Sequence, residues 1–216
     1  MVKIKICGLK RLKDIDIANK YKIDYAGFVF AESKRKVTHK LASQMKEKIS
    51  SDIPVVGVFV DANSKEILKL YNDNIIDIAQ LHGNENEEYI KNLKEKTDYN
   101  LKIIKAIEMS ETVDLSKYDN SLADYLLLDN GKGSGETFDW RLIRKDLKKD
   151  FFLAGGLNSE NISQAIEEFK PYAIDLSSSV ETNGFKDEEK IKKVMEAKTW
   201  TMEDMESMVD NTSLKL

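Results

Sequence analysis

The chain contains one cysteine and two histidines, so any chemistry at sulfur or imidazole has to use very few positions. Cys7 closes an apolar run and is followed by Gly8. A solitary cysteine is commonly a small buried hydrophobe. Placed where a strand gives way to a loop, it is also a candidate general base, provided its pKa falls from about 8.5 toward neutrality. Asp129 holds the equivalent place after Leu127-Leu128, directly before Asn130-Gly131-Lys132-Gly133-Ser134-Gly135. An aspartate there can serve only to cap the next turn. Together, though, the two residues put a potential base and a potential acid at strand ends, the pair that proton transfer between two positions of one substrate requires. The glycine-rich segment behind Asp129 has the composition of a loop able to close over a ligand.

Two later segments suit an anion. Gly155-Gly156 follows Ala154, and Asp175-Leu176 leads into Ser177-Ser178-Ser179. Paired glycines allow close backbone approach, and serine hydroxyls add donors. Either element alone reads as a turn; in this order they favour a phosphorylated ligand. The cationic run Glu32-Ser33-Lys34-Arg35-Lys36 is ordinarily solvated surface, but Arg35 there is placed to hold a carboxylate in bidentate fashion. His82, in Gln80-Leu81-His82-Gly83, reads as a polar group facing the same rim, with a structural histidine as the alternative. Neither His39 nor His82 stands at metal-ligand spacing from cysteine or carboxylate clusters, so no metal is expected.

Eight short apolar runs position these residues: Val2–Cys7, Tyr25–Phe30, Val55–Val60, Ile78–Leu81, Leu101–Ile107, Tyr125–Leu128, Phe151–Ala154 and Tyr172–Leu176. Several lack strict alternation, as strands buried on both faces of a parallel sheet do. Charged stretches with helical periodicity lie between them, with stripes such as Leu41, Met45 and Ile49, or Ile162, Ala165, Ile166 and Phe169. Asn158-Ser159-Glu160 supplies an N-cap with an early acid, and Asp187, Glu188 and Glu189 open the last helix in the same way. The fifth helical stretch, Thr112–Asn120, carries so few apolar residues that a single turn is expected. Strand–helix units of this length imply an α/β protein, a single (β/α)8 TIM barrel over residues 1–198. An open doubly wound sheet is the rival, but the first strand offers no G-x-G-x-x-G fingerprint and the chain no G-x-x-x-x-G-K-[ST] motif. Residues 199–216 fall outside the repeat and read as a tail, either a short helix or disordered.

Composition narrows the setting. The chain has 216 residues, with 34 basic against 38 acidic side chains and a net charge of −4. That balance gives no support for nucleic acid as a partner. No apolar run approaches the ~18 residues of a membrane span, and the first residues lack a signal-peptide core. One cysteine allows no internal disulfide and points to a reducing cytoplasm.

With these residues in view, the chain resembles the phosphoribosylanthranilate isomerase family of tryptophan biosynthesis, whose barrels bind ribulose phosphates. The resemblance runs from Lys3-Ile4-Lys5-Ile6-Cys7-Gly8 to about residue 198. It includes Gly27-Phe28-Val29-Phe30, Ser33-Lys34-Arg35, Val56-Gly57-Val58-Phe59-Val60, Gln80-Leu81-His82-Gly83 and Leu127-Leu128-Asp129. Further on come Gly133-Ser134-Gly135, Thr137-Phe138-Asp139-Trp140, Ala154-Gly155-Gly156-Leu157 and Ser177-Ser178-Ser179-Val180-Glu181. It implies an Amadori rearrangement of a small phosphorylated substrate without cofactor or metal, in a monomer or homodimer. Cys7 would be the general base and Asp129 the general acid. Arg35 would hold the anthranilate carboxylate, His82 and Asp175 would line the substrate site, and Gly155, Gly156 and Ser177–Ser179 would cradle the phosphate. Two positions depart from the family pattern. Ser179 stands where the family usually has glycine, which strains the phosphate loop if that position needs positive φ. Lys132 also stands where glycine is common. The alternatives are another phosphosugar isomerase or synthase of the same fold, and a non-catalytic barrel that binds a phosphorylated metabolite. Indole-glycerol-phosphate synthase would use lysines as acid and base, and the histidine-pathway isomerase a first-strand aspartate that is absent here.

Overall fold

A strand that is apolar on both faces has to be covered on both, and a parallel sheet closed on itself achieves this with helices outside and side chains within. The computed structural model describes residues 2–130, 139–144 and 146–198 and contains such a barrel. Its strands are β1 (Lys3–Cys7), β2 (Tyr25–Val29), β3 (Val55–Phe59), β4 (Ile78–Leu81), β5 (Lys102–Glu108), β6 (Tyr125–Asp129), β7 (Phe151–Leu153) and β8 (Ala173–Leu176). Each pairs with the next, and β8 pairs in parallel with β1 to close the ring. The expected TIM barrel is therefore present, and the open sheet is excluded.

The outer layer carries α1 (Leu12–Tyr21), α2 (His39–Lys48), α3 (Ser64–Asn72), α4 (Glu87–Glu95), α5 (Ile162–Phe169) and α6 (Glu188–Ala197). The weak stretch after β5 forms one 3-10 turn, Leu115–Tyr118, and the described chain after β6 another, Trp140–Leu142. Caps follow local chemistry: Thr38, Asn86 and Asp187 each accept a hydrogen bond from the third backbone N–H beyond them. One expected cap is corrected. Asn158 does not open a helix; its side chain accepts from the Glu160 N–H in a turn, and α5 begins at Ile162. An Asx turn competes locally with a helix N-terminus for the same side chain. Between β8 and α6 the chain also makes a small hairpin, β9 (Glu181–Thr182) and β10 (Phe185–Lys186). It turns through Asn183-Gly184, both at positive φ, as a two-residue type I′ connection requires.

Period-two alternation sorts each strand into two sides. Ile4 and Ile6 of β1 join the large core between barrel and helices, whereas Tyr25, Val56, Ile78, Ile104, Leu127, Phe152 and Ala173 pack inside the barrel. Cys7 lies on the inner side with Val29 and Val58, near the C-terminal mouth. Gly27 of β2 pairs with Cys7, and a Cβ built on it would come within 2.8 Å of the Cys7 Cα and 3.0 Å of its Sγ. Neither strand can move far, because the Gly27 carbonyl accepts from both Gly8 and Leu9. Gly27→Ala is therefore expected to cost about 1–3 kcal/mol through overpacking. A lowered urea midpoint with an unchanged m-value would register that cost, and an unaltered midpoint would contradict it.

Candidate active site

At the mouth, His82 after β4, Asp129 of β6 and Asp175 of β8 stand above the apolar inner residues Ile78, Leu127 and Ala173, and Cys7 of β1 stands above Lys5. They open on a cavity of about 390 Å³. All ten residues singled out from the sequence line it: Cys7, Arg35, His82, Asp129, Gly155, Gly156, Asp175, Ser177, Ser178 and Ser179. Lys132 and the rest of 131–138 lie outside the described residues, as does the tail, 199–216.

Asp129 ends β6 with its Oδ1 accepting from the Asn130 N–H at 2.8 Å and its Oδ2 3.5 Å from His82 Nε2. His82 Nδ1 in turn contacts Gln80 Nε2 at 2.9 Å. Gln80 and His82 are two residues apart on one strand face, so a short polar row runs from inside the barrel to the candidate acid.

Across the cavity, burial pushes the Cys7 thiol above its ordinary value, with Lys5 and Lys186 acting the other way and Asp175 reinforcing the rise. The base reading requires the opposite direction, so the cations near the sulfur are what would have to favour the thiolate. Lys5 is wholly buried, and its Nζ lies 2.9 Å from Asp175 Oδ2. The other oxygen, Asp175 Oδ1, is buried and has no partner among the described residues.

Arg35 is held by the protein itself. Its Nε donates to Glu181 Oε1 at 2.7 Å and its Nη2 to Glu181 Oε2 at 2.9 Å. Lys186 Nζ donates to the same Glu181 Oε1 at 2.7 Å and to the Ser177 carbonyl at 2.9 Å. One edge of the guanidinium is therefore committed to Glu181, and the Nη1 edge lies outside that pair. Gly8 keeps the stem in place, since a Cβ there would fall 2.4 Å from Arg35 Cδ.

Gly155 and Gly156 both adopt positive φ, 82° and 64°. Their N–H groups donate to no acceptor among the described residues, while the Gly156 carbonyl accepts from Asn161 Nδ2. Ser178 and Ser179 lie in a 3-10 turn, Ser178–Val180. Ser179 is not in the left-handed region, so its side chain brings no backbone strain of the kind the family comparison raised. Ser177 plays a different part, its hydroxyl donating to the Cys7 carbonyl at 3.2 Å. Among the described residues no group of three or more His, Cys, Asp or Glu side chains is arranged to hold a metal.

Four residues of this site had no role assigned from sequence: Lys5, Gln80, Glu181 and Lys186. Lys5 did carry a signal, because a lysine inside a strand covered on both faces needs a buried partner. The hairpin that delivers Lys186 was equally legible in Asn183-Gly184.

Comparison with known proteins points to one family. A protein-family model described as N-(5'-phosphoribosyl)anthranilate isomerase matches residues 4–197. The chain is 44% identical over 201 residues to an N-(5'-phosphoribosyl)anthranilate isomerase of Clostridium acetobutylicum, covering 89% of this chain and 96% of that one. Among solved structures, phosphoribosylanthranilate isomerase from Thermotoga maritima superposes with a TM-score of 0.83 at 35% identity, covering 93% of this chain and all of that one (100%). A structure of the same kind of enzyme, solved with reduced 1-(o-carboxyphenylamino)-1-deoxyribulose 5-phosphate, gives a TM-score of 0.81 at 34% identity and 93% and 100% coverage.

The Arg35–Glu181–Lys186 cluster sets an acid limit on the site. Burial alone would push the Glu181 carboxyl up, but hydrogen bonds from Arg35 and Lys186 bring it down to about 2 from an ordinary 4.5. A depressed carboxylate contributes stability that is present above its unfolded pKa and lost as pH falls through the folded one. Urea midpoints measured from pH 5 to 2 should therefore fall less steeply in Glu181→Gln than in the parent. Parallel slopes would show that Glu181 does not titrate in this way.

Proposed function

The chain belongs to the N-(5'-phosphoribosyl)anthranilate isomerase family, and from that premise we propose that this cavity performs the family's Amadori rearrangement in tryptophan biosynthesis. N-(5'-phosphoribosyl)anthranilate becomes 1-(2-carboxyphenylamino)-1-deoxyribulose 5-phosphate. The observation that carries this reading is that Cys7 of β1 and Asp129 of β6 line one cavity together with the glycine and serine segments that follow β7 and β8, the strands between them.

Asp129 gives a proton to the ribose ring oxygen. The C1–O bond breaks as the anthranilate nitrogen lone pair forms a C1=N double bond, leaving an open-chain iminium. Cys7, as thiolate, takes the proton from C2. The C–H electron pair becomes the C1=C2 bond, and the C1=N pair returns to nitrogen. The enolamine then tautomerises, with C2 becoming the ketone and C1 taking up a proton. The substrate's own nitrogen supplies the electron push. Phosphate is received by the N–H groups of Gly155 and Gly156 with Ser178 and Ser179, the substrate carboxylate by the free edge of Arg35, and sugar hydroxyls by His82 and Asp175. The unpartnered Asp175 Oδ1 supports the last assignment, since a buried acceptor without a donor is costly until one arrives.

No described helix is long and apolar enough to cross a membrane, and a thiol that must ionise is best kept in a reducing cytoplasm. The assembly expected is a monomer or a homodimer, the latter being the state described for a relative from Thermotoga maritima.

Cys7→Ala and Asp129→Ala should each lower kcat/KM by at least about 100-fold, the low end of what a positioned acid or base contributes. Far-UV circular dichroism should remain that of the parent. Conversion of freshly prepared phosphoribosylanthranilate, followed by loss of its fluorescence, reads both variants. A Cys7→Ala protein with full activity would overturn the assignment of the base.

A further inference from the structure

The Cys7 thiol lies in surroundings that oppose its ionisation, yet the reaction proposed above needs a thiolate. Apolar neighbours come from β2 and β3, with Val29, Val58 and the bare backbone of Gly27 packed around the sulfur. The charged groups that act on it come from three other directions. Asp175 on β8 opposes the thiolate, whereas Lys186 on β10 favours it, and Arg35 lies near enough for the thiolate to stabilise its charge. The latter two are already shared with Glu181. Lys5 is the remaining cation, and it differs from both in its placement. It stands two residues before Cys7 on β1, so both side chains project into the barrel, and Lys5 is fully buried below the sulfur. The β1–β8 register sets Lys5 beside Asp175, and the 2.9 Å ion pair fixes its ammonium within the wall.

We propose that Lys5 is the positioning residue of the base: its ammonium, tethered by Asp175, is the fixed positive charge against which the Cys7 thiolate forms. This rests on Cys7 being the base. The thiol releases its proton to solvent, the thiolate is held by the Lys5 charge, and the proton later taken from the sugar C2 restores the thiol. The favourable action of Lys5 on the thiolate, by charge and by hydrogen bonding, agrees with this role. A buried thiol near neutrality would otherwise have little thiolate to offer.

Cys7 is the only cysteine of the chain, so alkylation by iodoacetamide as a function of pH titrates this thiol directly and without turnover. Lys5→Met should move the alkylation midpoint upward by about one pH unit or more. Its loss of kcat should shrink as the assay pH is raised. Because Lys5→Met leaves Asp175 buried without its partner, Lys5→Met combined with Asp175→Asn serves as the second variant. Its midpoint should also lie above that of the parent, since Lys5 acts on the thiol more strongly than Asp175 does. A midpoint equal to or below the parent's in whichever of these variants folds, or a kcat deficit independent of pH, would overturn the role of Lys5. Full activity in Cys7→Ala would instead overturn the base assignment, leaving the effect of Lys5 on the alkylation midpoint of the parent sulfur unaffected.

Discussion

The pairing of β8 with β1 is the constraint on which the rest of this site depends. It closes the barrel and brings Lys5 beside Asp175 across 170 residues of chain. It also sets Ser177 so that its hydroxyl reaches the Cys7 carbonyl. The ion pair at this seam is weak support for stability, because removing two charges from water offsets most of their attraction. Losing one partner of such a pair nonetheless typically costs about 3–5 kcal/mol, since the other is left buried and uncompensated. The seam therefore tolerates neither half alone, and this couples the surroundings of Cys7 to the closure of the fold.

A net charge of −4 raises the question of how an anionic substrate is held. The cations around the cavity are largely engaged: Lys5 pairs with Asp175, and Lys186 shares Glu181 with one edge of Arg35. In the function proposed above the free edge of Arg35 takes the carboxylate, and the phosphate falls to neutral donors, chiefly the N–H groups of Gly155 and Gly156 in a conformation that glycine adopts without strain. Fixed dipoles of this kind need little reorganisation when charge moves during reaction. The ion pairs themselves fix the side chains of Lys5, Arg35 and Lys186 around Cys7.

Much of this architecture was legible because strand and helix periodicities differ. The run Ile78–Leu81 is a strand over the expected residues, and the sparse stretch near Leu115 is the single turn its composition allows. Expectations failed where two local structures compete for one side chain. Asn158 can cap a helix or make an Asx turn, and here its side chain accepts from the Glu160 N–H while α5 begins only at Ile162. At Ser179, backbone conformation is a property of the closed loop rather than of residue type, so strain could not be read from the serine alone.

What the sequence determined by itself was the set of elements, the barrel they form and the strand-end positions where chemistry belongs, since buried strands and intervening helical stripes write their periods into residue order. Which way each strand end faces was decided only by tertiary structure. A strand apolar on both sides does not reveal its inner face, and the register of closure alone turns Lys5, Cys7, Gln80, His82, Asp129 and Asp175 inward together. The electrostatic character of the single cysteine belongs to that second category as well. A thiol's pKa is set by burial and by the charges facing it, and here those charges come from β1, β8, β10 and the loop after β2, segments distant in the chain that meet only when the barrel closes.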